Sequence, residues 1–452
     1  MNRPAPCATL VVCRLAFMAA CLLLTRLLGA DWPPAVSTFG QHFHRIAPGD
    51  ETWARHDVSR DLVNWTNTGV ALPPLPAGKV LGACGIEVAN PAAGATNASG
   101  PWHAMLVLVD AGLPSLKLLR SADGRAYAID PGETVLRIPG ATTGNLSLVW
   151  HSPSQRWVLG TPVRDQSGDA ISFHGSSNLL DWVPLGRVEG DHARGGLCEF
   201  PERRNQGTAR WVLVDSRNEA RIAILSDGQV LPERRRMAAM RGDGSWGFLP
   251  TPGVLPPRGR RLVVGRTGNG GPWDGGTPWE VACEEFEDGP QLVWLPAAEF
   301  ESLRSKSRTL NVPRLSKAGT NQLLARLPSS CEIRLEFRAS PHHRLLLRLS
   351  SEVVRFDGGR RELSLGDAKA TLPPAADTER WTIVRTPSHL ELVASAGRVR
   401  LCTPIRFEES PGPVVLERPG GWWLSLQYLA LHELQTTSAP APQRQQASIG
   451  QP

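Results

Sequence analysis

Ser59-Arg60-Asp61-Leu62-Val63-Asn64-Trp65 returns twice in altered form, as Ser121-Ala122-Asp123-Gly124-Arg125-Ala126-Tyr127 and as Ser176-Ser177-Asn178-Leu179-Leu180-Asp181-Trp182. The three copies begin 62 and 55 residues apart. A unit of that length holds four short strands and their turns, which is one blade of a β-propeller, with the Ser and the Asp or Asn closing a turn and the aromatic ring packing beneath it. Around the copies, short β-branched runs such as Trp211-Val212-Leu213-Val214-Asp215 and Arg261-Leu262-Val263-Val264-Gly265 alternate with Gly, Pro, Asp and Asn clusters, the pattern of strands between turns. Residues 31–300 are therefore expected to form a five-bladed β-propeller.

Ala297-Ala298-Glu299-Phe300-Glu301-Ser302-Leu303-Arg304 reads as a short helical link, with residues 301–309 as linker. From 310 to 436 strand patterns return, as in Cys331-Glu332-Ile333-Arg334-Leu335-Glu336-Phe337, whose alternation suits a half-buried sheet and predicts a C-terminal β-sandwich. The fold class is thus all-β, a propeller followed by a sandwich. Residues 437–452, rich in Thr, Ser, Ala, Pro and Gln, lack the apolar surface to order themselves.

A chain of 452 residues exceeds one ordinary core, and its 44 Gly and 39 Pro favour turns over helices. The formal net charge of +6 comes from dispersed arginines (Arg203, Arg204, Arg234, Arg235, Arg236, Arg260 and Arg261 among them), which read as solvated surface; no nucleic-acid-binding module accompanies them. Residues 1–30 read as an export signal: Arg3 precedes an apolar stretch from Leu10 to Leu24, and Leu28-Gly29-Ala30 supplies small residues near a cleavage point. Met18-Ala19-Ala20-Cys21 faintly resembles a lipoprotein signal with Cys21 as the anchor, and no other segment is apolar enough to span a bilayer. The expected location is outside the cytoplasm. Cys84, Cys198, Cys283, Cys331 and Cys402 remain, an odd and scattered set that makes neither a disulfide framework nor a zinc site, and the eleven histidines show no ligand spacing. No metal or other cofactor is expected.

Trp53 through Trp65, followed by Val70-Ala71-Leu72-Pro73-Pro74, resembles the WGHxxSxDLxHW…AL.P stretch of glycoside hydrolase family 32. Further stretches resemble that family in its order: Leu118 to Gly124, Gln155 to Leu159, Ile171 to Ser176, Arg260 to Gly265, Thr277-Pro278-Trp279, and Leu390 to Val399, which looks like the SVEVFANDGR strand pair. The resemblance implies a five-bladed propeller with a sandwich, and retaining hydrolysis of fructosides such as sucrose, inulin or levan. One carboxylate attacks the anomeric carbon; a second carboxyl group protonates the leaving oxygen and then activates water.

Leu197-Cys198-Glu199-Phe200-Pro201-Glu202 resembles the family's WECPD motif and makes Glu199 the implied acid/base, against the alternatives of a surface strand carboxylate or a structural ion pair. The family's NDPNG is absent. Alignment from Gly40-Gln41-His42-Phe43 sets Ala30-Asp31-Trp32-Pro33-Pro34 in its place, so Asp31 is the implied nucleophile, or else a signal-cleavage flank. The RDP motif is replaced by Thr143-Gly144-Asn145-Leu146-Ser147, leaving Asn145 to hydrogen-bond a sugar hydroxyl without the negative charge. Among fifteen tryptophans, Trp65, Trp157, Trp182 and Trp211 read as blade packing, and Trp53, Trp246, Trp273 and Trp279, beside loop-like sequence, as candidates for a sugar-binding rim. Three functional readings stay open at this point: a fructosidase using Asp31 and Glu199; a pseudoenzyme that binds a glycan or partner through its funnel; and an enzyme for another furanoside, with Asp57 as the additional acid.

Overall fold

The computed structural model describes residues 35–40, 42–47, 55–60, 62, 65–68, 78–88, 101–190, 196–201, 209–215, 220–226, 228–237, 261–264, 277–310, 319–324, 326–373, 378–387, 389–405, 412–419 and 426–435. Its first part is a row of antiparallel sheets, each a meander in chain order. The first pairs Ala35–Phe39, His42–Ala47, Arg55–Ser59 and Thr66–Asn67; the second Lys79–Val88, Trp102–Asp110, Pro114–Ser121 and Ala128–Arg137. The third pairs Ser147–His151, Arg156–Asp165, Gly168–Ser176 and Val183–Glu189; the fourth Gly196–Pro201, Ala209–Val214, Ala220–Ser226 and Gln229–Arg236. The fifth shows Arg261–Val264, Pro278–Phe286 and Gly289–Pro296. Five successive sheets match the all-β propeller expected from the repeat.

The repeat itself occupies one place in each of the first three sheets, the turn between third and fourth strands. In the second copy Asp123 Oδ1 accepts from Ser121 Oγ (2.9 Å) and from the backbone N–H of Arg125 (2.7 Å) and Ala126 (2.9 Å). In the third, Asn178 Oδ1 takes the N–H groups of Leu180 and Asp181, each at 2.9 Å. The closing indole donates to the carbonyl of the fourth residue: Trp65 to Leu62 at 2.8 Å, Trp182 to Leu179 at 3.0 Å. That fourth residue is left-handed in all three copies, with φ of 64° at Leu62, 69° at Gly124 and 65° at Leu179. A leucine there costs on the order of 1 kcal/mol in backbone strain, offset by about 2 kcal/mol from complete burial of its side chain, and Leu62 and Leu179 are both wholly buried. Gly124 escapes the rule because a Cβ would lie 2.7 Å from the His44 ring and 2.8 Å from Phe39. The balance predicts an inverted order of damage: Leu179→Ala loses about 3 kcal/mol of stability, whereas Leu179→Gly, free of the strain, loses about 1 kcal/mol less. Urea denaturation of the two variants measures the difference.

Neighbouring sheets share cores. Leu62 packs with Ala297, which follows the last strand of the fifth sheet, with Phe43 and Trp65 against them. The helix Ala298–Glu301 then leads into the second part. There, one six-stranded sheet has the order Arg304–Thr309, Leu426–Leu434, Cys331–Arg338, Thr378–Arg385, His389–Ala394, Val399–Pro404. The other has the order Gly319–Leu324, Val414–Arg418, Arg344–Leu349, Glu352–Asp357, Glu362–Leu365, Ala368–Thr371. Leu335, Phe337, Leu347, Phe356, Trp381 and Leu392 meet between them, the sandwich core. Residues 304–309, expected within a linker, are instead an edge strand of this sandwich, held to Leu426–Leu434 over a register from Arg304↔Leu434 to Thr309↔Ala430. Their run of polar residues, Arg-Ser-Lys-Ser-Arg-Thr, disguises a strand because an edge strand has little apolar surface to bury.

The first of these sheets turns its outer face to the fifth propeller sheet, so the alternation in Cys331–Phe337 does not leave a solvated face. Glu332 is buried between Arg304 (2.7 Å) and Arg334 (2.6 Å). Glu391 accepts from Arg400 Nη2 (2.7 Å) and from Trp279 Nε1, with His389 Nε2 at 2.9 Å. Burial opposes its charge, yet Arg400 and His389 hold its pKa at about 2. At the hairpin tip Ser395–Arg398, Gly397 O accepts from Trp294 N at 2.8 Å, an approach so close that a Cβ on Gly397 would lie 2.5 Å from Trp294 O. The five described cysteines are all buried thiols.

Candidate active site

The first strands of the second, third and fourth sheets lie side by side, and glycines set their spacing. Gly144 N donates to Leu81 O at 2.9 Å, and a Cβ on Gly82 would stand 2.5 Å from Gly144 O. Gly196, at φ 141°, lets Ser147 approach to 3.0 Å of where its Cβ would be, with the Asn145 amide 3.8 Å away. Asn145, 3% exposed, thus lies buried in the seam between the third and fourth sheets.

Glu199 lies three residues after Gly196 on the same strand, about 10 Å along it. Strand alternation fixes which way it looks. Cys198 and Phe200 pack with Trp279 and Val281 of the fifth sheet, whereas Leu197 packs with Val149 and Val158 of the third. Glu199 shares the parity of Leu197 and so belongs to the side of the third sheet. It is half-buried and stands directly across the ladder from Trp211. The Trp211 indole in turn meets the His151 ring edge to face, centroids 4.8 Å apart. Burial and the nearby Arg156 lower the pKa of His151, which keeps the imidazole neutral beside the indole. Glu199 thus stands beside an indole on the first strand of its sheet, and the His151 imidazole packs on that same indole.

The remaining expectations divide. Asp31 and Trp53 lie outside the described residues. Trp279 is described, and it is not at a rim: it is 0% exposed and donates to Glu391. The loop-like sequence before it gave no sign that a second domain would cover it. Trp157 and Trp211 are buried packing residues, as expected. Asp57 sits on the third strand of the first sheet and binds Arg45 at 2.8 and 3.1 Å, with the guanidinium stacked over Trp65 at 4.5 Å. The alternative furanosidase reading needs this acid beside Glu199; the structure shows it in a buried ion pair on the third strand of its own sheet.

One polar cluster has no counterpart in the sequence reading. Ser37 Oγ and His103 Nε2 are 2.8 Å apart, His103 Nδ1 bonds Tyr127 OH, and His44 Nδ1 lies 3.0 Å from His56 Nε2. The rings of His44 and His103 stand 5.2 Å apart, which joins the two pairs into one network between the first and second sheets. Burial pulls the pKa of His44 and of His56 to about 4, and that of His103 well below its ordinary value.

No family model matches the chain. A levanase of Bacillus subtilis (strain 168) is 24% identical over 333 residues, 66% of this chain and 48% of that protein. The chain spans half or less of the length of the curated relatives it matches. Among solved structures, an exo-inulinase from Aspergillus awamori superposes with a TM-score of 0.71 at 16% identity, over 90% of this chain and 96% of that one. A Bombyx mori GH32 β-fructofuranosidase superposes with a TM-score of 0.62 at 15% identity, over 90% and 92%. At these identities the likeness establishes the fold: a propeller joined to a sandwich.

Proposed function

We propose, from the glycoside hydrolase family 32 fold that this chain has, that it is a β-fructofuranosidase-type hydrolase acting on sucrose or on fructans such as levan and inulin. The observation that supports the reading is Glu199, half-buried opposite Trp211 on the first strand of the fourth sheet, the strand whose Gly196 borders Asn145. In the retaining scheme Asp31 attacks the anomeric carbon while the glycosidic C–O bond breaks and Glu199 gives its proton to the departing oxygen. A water molecule then attacks the fructosyl ester, its proton passes to Glu199, and Asp31 leaves as the carboxylate. Asn145 supplies a neutral hydrogen bond where the family has a carboxylate, which lowers the stabilisation available to a developing positive charge. Polymeric substrates agree with the export read from residues 1–30.

Purified protein is expected to release free fructose from at least one of sucrose, inulin and levan. If a folded protein, verified by circular dichroism, releases none from any of the three, the hydrolase reading fails and the glycan-binding alternative replaces it.

A further inference from the structure

The outer face of the second sandwich sheet carries a groove of about 380 Å³. Leu345, Leu347, Phe356 and Leu363 point into the core, so the alternate positions face outward in two rows. One row is Arg344, Asp357 and Glu362; the other runs through Arg355, Ser364 and Lys369. Asp357 and Glu362 stand directly opposite each other on adjacent strands, an arrangement that repels unless cations flank it. Arg344 does so at 3.6 Å from Asp357 and Lys369 at 3.7 Å from Glu362, both wider than a hydrogen bond. Between these loose pairs, among the described residues, Arg355 has no ion-pair partner and Ser364, only 5% exposed, has no hydrogen-bond partner for its hydroxyl. Leu346 and Pro419 add apolar surface to the same groove.

We propose that this groove binds a stretch of neutral glycan chain, independently of the propeller. Arg and Lys only donate and ionised Asp and Glu only accept, so a ligand that satisfies a mixed grid of both must do both, as a sugar hydroxyl does. An anion would use Arg355 and Lys369 but face the Asp357–Glu362 pair. Strands about 4.8 Å apart, with outward residues about 7 Å apart along each, space the polar groups like hydroxyls around linked sugar rings. The volume lies at the lower end of small-ligand sites, enough for a short segment of a chain that continues past both ends. That the chain is a fructan rests on the hydrolase reading.

The test uses the full chain carrying Glu199→Gln, so that polymer is not consumed, in native gels containing levan or inulin, with saturating sucrose to fill the propeller. Retardation is expected, and Arg355→Ala or Glu362→Gln weakens it about tenfold, roughly the loss of one hydrogen bond to a charged group. In the chain without the Glu199 change, neither substitution alters sucrose turnover. Unchanged retardation with unchanged thermal stability overturns the proposal. So does the absence of retardation in either polymer, and so does retardation confined to gels containing dextran sulfate, which would make the groove an anion site. Groove-dependent retardation in a protein that releases no fructose would overturn the hydrolase reading alone; fructose release with groove-independent retardation would overturn the groove alone.

Discussion

Glu199→Gln is expected to lower the rate of fructose release from sucrose by about a thousandfold, in the middle of the range for loss of a general acid–base group. The glutamine keeps the shape of the carboxyl group and its place opposite Trp211, so the ladder from Gly196↔Val214 to Pro201↔Ala209 and the folded state survive. In the proposed role, what it loses is the proton for the leaving oxygen and the base for the incoming water. Two readouts separate this chemical role from a structural one. A fructoside whose leaving group needs no proton, such as an aryl fructoside with an acidic phenol, is expected to regain most of the first step. The pH profile of kcat/KM is expected to lose its alkaline limb, because that limb reports the acid that must be protonated before the bond breaks. If the variant keeps wild-type activity, or if both substrates fall equally while thermal stability drops, Glu199 is not the acid/base.

The parts of this fold that were legible in the sequence are those made by local chemistry. Asp123 and Asn178 close the same turn in two copies through nearby backbone N–H groups, and Trp65 and Trp182 close it through their indole N–H, because all these groups lie within seven residues of one another. That spacing survives any change in the rest of the blade. Glu199 was singled out by the resemblance of Leu197-Cys198-Glu199-Phe200-Pro201-Glu202 to a family motif, and its acid/base role rests on the proposal. Trp279 was misread because its role depends on Glu391, 112 residues later, in another domain. The edge strand Arg304–Thr309 was misread because its partner, Leu426–Leu434, lies at the far end of the chain. The histidine network is the extreme case. His44, His56 and His103 carry no shared spacing; only the pairing of His42–Ala47 with Arg55–Ser59, and the packing of the second sheet on the first, bring their rings together.

That network makes the protein lose stability between about pH 6.5 and pH 4. His44 and His56 are bonded ring to ring, one nitrogen donating and the other accepting, so a proton added to the accepting nitrogen sets two N–H groups against each other. Burial already disfavours charge on both, and His42 and Arg125 disfavour it further on His44, while Asp57 works the other way on His56. Both pKa values fall from 6.5 to about 4 in the folded chain, so across that interval the unfolded chain binds protons that the native one does not. Stability is therefore full above pH 6.5 and drains as the pH falls toward 4, by about 3 kcal/mol for each of the two histidines. His103, lowered in the same direction by burial and by its two neighbours, adds to the effect. The buried carboxylates act elsewhere or oppositely. Glu391 is held at about 2, so its loss begins only below its ordinary value of 4.5; burial raises Glu379, whose protonation favours the folded state on acidification. Urea midpoints measured from pH 8 to pH 5 isolate the histidine window, and their slope is expected to correspond to two or more protons. His56→Gln, which can still bond His44 but cannot charge, is expected to lower that slope by about one proton; an unchanged slope would place the acid lability outside the network.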